Sequence, residues 1–319
     1  MHTAPFFKER EDPFMKKKSS SLAKWPFIFL APYVICYIVF FIYPTIYSFF
    51  ISLTDWDSLV GIQGRKFVGI ANYARLLTKD KLFFKALKNT AFFMVIYIPI
   101  LIIGGIVLAV LLYKLKKSSR IFQTINILPY ITTPVAIGVI FSFLFDWSTG
   151  IINHMLVAMG LMDEGLNWLG NAGTARFVVL LLIIWKNMGY YLLIYLAGLS
   201  TIPDDVSEAA MVDGANRFQV FRHITLPFLR PITIFLILTS IVSGFQLFDE
   251  PYLLFSNSSN SVIGGPERSC LTAMMYFFDS AFKSSTKLGY GAAVSYGIFV
   301  VILIVSLIIS KIVNRGGND

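Results

Sequence analysis

Two sets of residues in this chain have types and spacings that point to chemistry. The first lies inside apolar runs. Lys186 sits in the middle of the run 177–199, with Asn187 beside it and Tyr190 one helical turn on. Gln246, Asp249, Glu250 and Tyr252 crowd the far end of the run 232–255. Such groups hold a polar solute by hydrogen bonds and charge. Ionisable groups within apolar runs are costly, and as a rule they serve a pathway or a partner charge. The second set is Glu208-Ala209-Ala210-Met211-Val212-Asp213-Gly214, followed after nine residues by Ile224-Thr225-Leu226-Pro227. Its chemistry is that of a docking surface. Glu208 and Asp213 offer polar contacts, Ala209 and Ala210 allow close approach, and Gly214 permits a turn with positive φ.

Neither set comes with a catalytic constellation. His2, His154 and His223 are too scattered for a metal site, and Cys36 and Cys270 stand in a span and a loop, which argues against a disulfide. No Gly-x-x-x-x-Gly-Lys-Ser/Thr phosphate loop occurs, so if ATP drives this protein another chain hydrolyses it. The net charge of +9 is dispersed and no nucleic-acid motif accompanies it.

The elements that position these residues follow from hydropathy. Hydrophobic residues make up 56% of the chain and charged ones 14%, and the mean hydropathy is +0.70. That is far from a soluble domain. Six apolar blocks, 26–53, 91–113, 121–145, 177–199, 232–255 and 290–312, each reach the roughly 20 residues that a helix needs to cross a bilayer. Lipid offers the backbone no hydrogen-bond partner, so each block is expected to be helical. The fold class is therefore all-α transmembrane. The first block is long and aromatic and reads as a retained helix after a polar tail, 1–24. The short loop 114–120, with Lys114, Lys116, Lys117 and Arg120, sets the orientation: both termini and the Glu208 loop face the cytoplasm. Lys16-Lys17-Lys18 serves as an orientation signal or touches anionic lipid headgroups.

Within this frame Lys186 falls near the membrane midplane, too deep to reach the interface comfortably. Either it lines a polar cavity with Asn187 and Tyr190, or it pairs with an acid or a carbonyl and ties helices together. Asp249 falls near the outer rim, as part of a site or as a solvated helix end. Pro251 is expected to break the fifth helix, and no carboxylate falls clearly at the midplane. In the Glu208 loop, Pro203 opens a short helix, Asp204 and Asp205 favour its N-terminus, and Gly214 turns it into a second. Pro227 and Pro231 are expected to stop that second helix. Before the second block, Tyr73, Leu76, Leu77, Phe84 and Leu87 share a helical face, either interfacial or simply solvated. Gly264-Gly265-Pro266 reads as a tight turn.

Glu-Ala-Ala, three residues, Gly, nine residues, Ile-x-Leu-Pro resembles the cytoplasmic-loop signature of bacterial ABC importer permeases. Further stretches resemble its carbohydrate uptake branch, of the maltose-permease F-subunit type. They are Gly69-Ile70-Ala71-Asn72-Tyr73, Asn89-Thr90, Ala197-Gly198-Leu199 with Ile202-Pro203, Phe245-Gln246-Leu247-Phe248-Asp249, Gly264-Gly265-Pro266 and Gly289-Tyr290-Gly291-Ala292-Ala293. The likeness runs from about residue 25 to 312. The maltose protein has extra N-terminal helices and a large outer domain that this chain lacks. The resemblance implies a six-helix, type I importer permease with a MetI-like core and a coupling loop over 200–231. It implies that Glu208, Ala209, Ala210, Asp213, Gly214, Ile224, Leu226 and Pro227 couple to an ATPase dimer. It also implies a second homologous permease subunit, an extracytoplasmic solute-binding protein, membrane lipid and a sugar as partners. No nucleic acid, metal or cofactor belongs to this chain; ATP and Mg sit on the ATPase. The substrate pathway would use Lys186, Asn187, Tyr190, Gln246, Asp249, Glu250 and Tyr252. The expected location is the bacterial inner membrane. Basic residues of the first outer loop, with Lys186, leave room for an anionic sugar such as a uronate. The rival class is a self-sufficient secondary carrier, which would want a midplane carboxylate, or a membrane scaffold.

Overall fold

The computed structural model describes residues 25–59, 65–115, 119–256, 262–283 and 286–315. The expectations placed on the tail 1–24 and on Lys116 and Lys117 lie outside the described residues. Two units divide at Ile51. In the first, α1 (Trp25–Tyr37) continues through a π-helical turn, Ile38–Ile42, into α2 (Tyr43–Ser52). Pro44 has no N–H to return to Phe40, and the π-turn just before it is where the ladder readjusts. The stretch Pro26–Ser52 is long and apolar enough to cross a membrane.

The second unit begins with α3 (Ala71–Thr78), α4 (Lys81–Tyr113), α5 (Ser119–Ile131), α6 (Pro134–Leu144), α7 (Ile151–Ala158) and α8 (Ala172–Leu199). It continues with α9 (Asp204–Val212), α10 (Arg217–Val220), α11 (Leu226–Phe245), α12 (Asp249–Ser256), α13 (Ala273–Phe278) and α14 (Leu288–Arg315). No strand occurs among the described residues beyond an isolated bridge, Thr54 to Phe67. Helix α8 is the axis of packing, in contact with α4, α5, α11 and α12. Leu182, Leu192 and Tyr195 of α8 are fully buried, as are Phe93 and Leu101 of α4 and Leu236 of α11. At Gly189 the contact is backbone to backbone: a Cβ there would stand 1.9 Å from the carbonyl oxygen of Asn126 on α5.

Three expected spans differ from the structure. Helix α4 starts at Lys81, not near 91, because Asp80 caps it by accepting from the Leu82 and Phe83 N–H groups. Lys81, Lys85 and Lys88 lie exposed on one face while Phe83, Ala86 and Asn89 are buried on the other. The predicted amphipathic face is therefore split. Leu76 is buried, but Leu77 and Phe84 point outward, since one helix ends at Thr78 and the next begins at Lys81. The third block is not one helix: α5 and α6 meet at 94°. Thr133 is extended at ψ 138°, as the residue before a proline prefers. The fifth block breaks at Gln246–Phe248, ahead of Pro251, which falls in the first turn of α12 where an N–H is not needed. Pro227 and Pro231 do not stop a helix; α11 starts at Leu226 and runs through both. Pro227 lies in its first turn, and the apolar continuation carries the helix past Pro231.

The loops at the Asp80 end are pinned by the polar residues of the first-loop stretches. Asn72 Nδ2 donates to the carbonyls of Ser52 and Thr54 at 2.8 Å each. Asn89 Nδ2 donates to the carbonyls of Arg268 and Leu271, and the Ala273 N–H donates to Thr90 Oγ1 at 2.9 Å. The Gly264 turn is closed by the Cys270 N–H on the Gly264 carbonyl at 2.8 Å. Asp80 also accepts from the hydroxyls of Tyr276 and Tyr290, so one carboxylate joins α4, α13 and α14. Burial raises its pKa, but these hydrogen bonds from Tyr276, Tyr290, Phe83 and Leu82 outweigh that and hold it below the ordinary carboxylate value.

Candidate functional site

A cavity of about 380 Å³ opens where α4, α5, α8 and α11 meet the break before α12. Asn187, Tyr190 and Tyr191 line it from α8, Tyr97 from α4 and Tyr130 from α5. Ser240 and Ser243 line it from one face of α11, and Gln246 follows three residues on, at the start of the break. Asp249 and Glu250 enter from the first turn of α12. The rings of Tyr130 and Tyr190 stack with centroids 5.0 Å apart. Tyr191 and Ser240 share a hydroxyl–hydroxyl bond, and Tyr97 donates to the Ser240 carbonyl at 3.3 Å. At the break, the free carbonyl of Leu247 accepts from the Thr272 hydroxyl. A broken helix beside polar side chains is a common ingredient of a transport site. The lining offers amide, hydroxyl and aromatic groups, the set that grips a polyhydroxylated solute.

Two predicted residues are placed elsewhere. Lys186 does not line the cavity; its ammonium is ion-paired with Glu250, both side chains 12% exposed. Helix α8 begins earlier than the apolar run, yet Lys186 still lies halfway along it, about 20 Å from either end at 1.5 Å per residue. Glu250 is therefore a carboxylate at that same depth, where the hydropathy argument places none. The break before α12 carries it there. Tyr252 turns away, stacking on Phe248 with centroids 4.8 Å apart and lining a separate, smaller cleft. Sequence reasoning missed Tyr97, Tyr130, Tyr191, Ser240 and Ser243. The serines carry a usable signal, their spacing ahead of Gln246. The tyrosines carry none, because tyrosine is frequent throughout this chain.

The second predicted set forms a helical turn. Pro203 precedes α9, and Asp204 and Asp205 occupy its first turn, where the helix dipole favours negative charge. The helix ends as the Ala215 N–H bonds the Ala210 carbonyl at 2.9 Å and Gly214 takes φ +91°. Asn216 then caps α10 reciprocally with Gln219. A π-helical turn, Phe221–Thr225, leads into α11. Ala210, Asp213, Gly214 and Ile224 share a cleft of about 390 Å³ with Gln219 and His223. Glu208, Ala209, Leu226 and Pro227 are exposed outside it.

Residues 84–316 match the family model described as "Binding-protein-dependent transport system inner membrane component". The chain belongs to that family. This permease is 36% identical over 304 residues to the arabinooligosaccharides transport system permease protein AraP of Bacillus subtilis (strain 168), covering 94% of this chain and 90% of that one. It is 33% identical to the lactose transport system permease protein LacF of Rhizobium radiobacter, over 88% of this chain and 91% of that one. In fold it matches a chain in the crystal structure of a bacterial alginate ABC transporter in complex with an alginate pentasaccharide-bound periplasmic protein. The TM-score is 0.78 at 22% identity, over 92% of this chain and 96% of that chain. The architecture is thus the type I importer permease with a MetI-like core: among the described residues five helical stretches are long and apolar enough to cross a membrane, and the bent α5–α6 pair makes a sixth when counted as one span. A permease of a binding-protein-dependent system is neither a self-sufficient carrier nor a scaffold.

Proposed function

We propose that this permease is one subunit of an ATP-driven importer of oligosaccharides or related sugars in the bacterial inner membrane, with both termini cytoplasmic. Six spans close a poor pathway alone, so a second homologous subunit supplies the other half. A separate ATPase dimer grips the turn from Asp204 to about Phe218. When ATP and Mg close that dimer, the turn moves with it and the bundle swings from inward- to outward-facing. An extracytoplasmic binding protein releases sugar into the cavity, and hydrolysis reopens the path inward. A partner shifts such an equilibrium only through contacts that differ between the states. The names of AraP and LacF, and the cavity's amide, hydroxyl and aromatic lining, support the sugar.

The observation that carries the reading is the exposed turn at Gly214. Its φ of +91° is one that other residues adopt only under strain, yet no atom lies within 4 Å of where a Cβ would stand. The glycine closes α9 with a left-handed cap and leaves the space beside the exposed turn open, which suits close approach by another molecule. Gly214→Asp is expected to abolish ATP-dependent uptake while membrane insertion and abundance stay at wild-type levels. Wild-type uptake by that variant would sink the coupling role.

A further inference from the structure

On this subunit's side the charges around the cavity do not match an acidic solute. Among the described residues the lining contains no lysine or arginine; its charged members are Asp249 and Glu250. Lys186, which reaches the lining residue Glu250, is neutralised by it. Asp249 has no ion-pair partner among the described residues and is exposed to the cavity. The basic residues that point to an anionic sugar are in part engaged elsewhere. Arg75 lies 4.6 Å from the centre of the Tyr290 ring, and Lys85 donates to the Glu267 carbonyl at 2.6 Å.

We propose that the cavity takes uncharged glycans and turns away uronate-bearing ones, with Asp249 as the discriminating charge and the Glu250–Lys186 pair silencing the cation an acid would need. This rests on the sugar reading of the cavity given above. An uncharged sugar asks for aromatic faces and neutral hydrogen-bonding groups, and Tyr130, Tyr190, Asn187, Ser243 and Gln246 provide both. A uronate carboxylate asks for a cation or a charge-assisted donor. Here it would meet a like charge in a partly desolvated space, where repulsion is far less screened than in water.

The test is equilibrium binding to the assembled importer in lipid nanodiscs, at low salt and with no binding protein present. Radiolabelled arabino-, xylo- and malto-trisaccharides are compared with trigalacturonate and trimannuronate. The best neutral trisaccharide is expected to bind at least about tenfold tighter than either uronate, and Asp249→Asn is expected to shrink that ratio by about tenfold. Salt should shrink it in the wild type as well. Glu250→Gln, which unmasks Lys186, should move the ratio the same way. Uronate binding as tight as neutral binding in the wild type would overturn the proposal, as would a ratio that neither variant changes. Binding of no glycan of either class would overturn the sugar reading itself, and this inference with it.

Discussion

At the residue scale the account turns on Lys186 and Asp80. The depth of Lys186 is legible in the sequence because an apolar run measures it. Its partner is not, because Glu250 reaches that depth only through the break at Gln246–Phe248. Lys186→Met should leave the half-buried Glu250 without a counter-charge and destabilise the subunit by at most about 3–5 kcal/mol, the cost at a fully buried pair, while Lys186→Met with Glu250→Leu should regain most of that. Thermal unfolding in detergent measures both. Equal stability of the single and double variants would contradict the pair. Asp80 stands in the sequence as one more loop acid; nothing in its neighbours announces two tyrosines from far along the chain. Its folded pKa is held below the ordinary value, so its stabilising contribution is present above about pH 4 and fades as pH falls through the folded value. The stability gap between wild type and Asp80→Asn should therefore be full at neutral pH and narrow in acid. A gap independent of pH would show that the carboxylate's charge plays no part.

At the element scale, hydropathy finds every apolar block but misjudges where helices begin and bend. It stops at Lys88 because it averages around the helix, whereas α4 keeps its lysines on one face and its core residues on the other. It reads 121–145 as one helix although Pro134 forces Thr133 out of helical geometry. These errors matter because the bent α5–α6 pair and the broken α11–α12 pair frame the cavity. Close packing makes its own prediction. Gly189→Ala puts a methyl 1.9 Å from the Asn126 carbonyl oxygen, where neither backbone can yield, whereas Gly173→Ala meets only Asn171 at 3.5 Å. The first variant should lose folded protein, measured as membrane abundance and protease resistance, and the second should not. Equal abundance would mean that α5 and α8 are not held against each other at Gly189.

At the scale of the whole molecule, the turn at Gly214 is the part whose backbone was most legible, since its signature is local: a run of short-range caps and one left-handed glycine. The cavity was half legible, because its lining comes from five helices that only folding brings together. The proposed ATPase docks at that turn. The most direct measurement is co-purification. A C-terminally tagged chain, extracted gently from its native membrane, is analysed by mass spectrometry beside the variant Glu208→Lys/Gly214→Asp. The account predicts a second permease and a nucleotide-binding subunit with the wild type, and loss of the nucleotide-binding subunit from the variant. A nucleotide-binding subunit retained in full by the variant would contradict it.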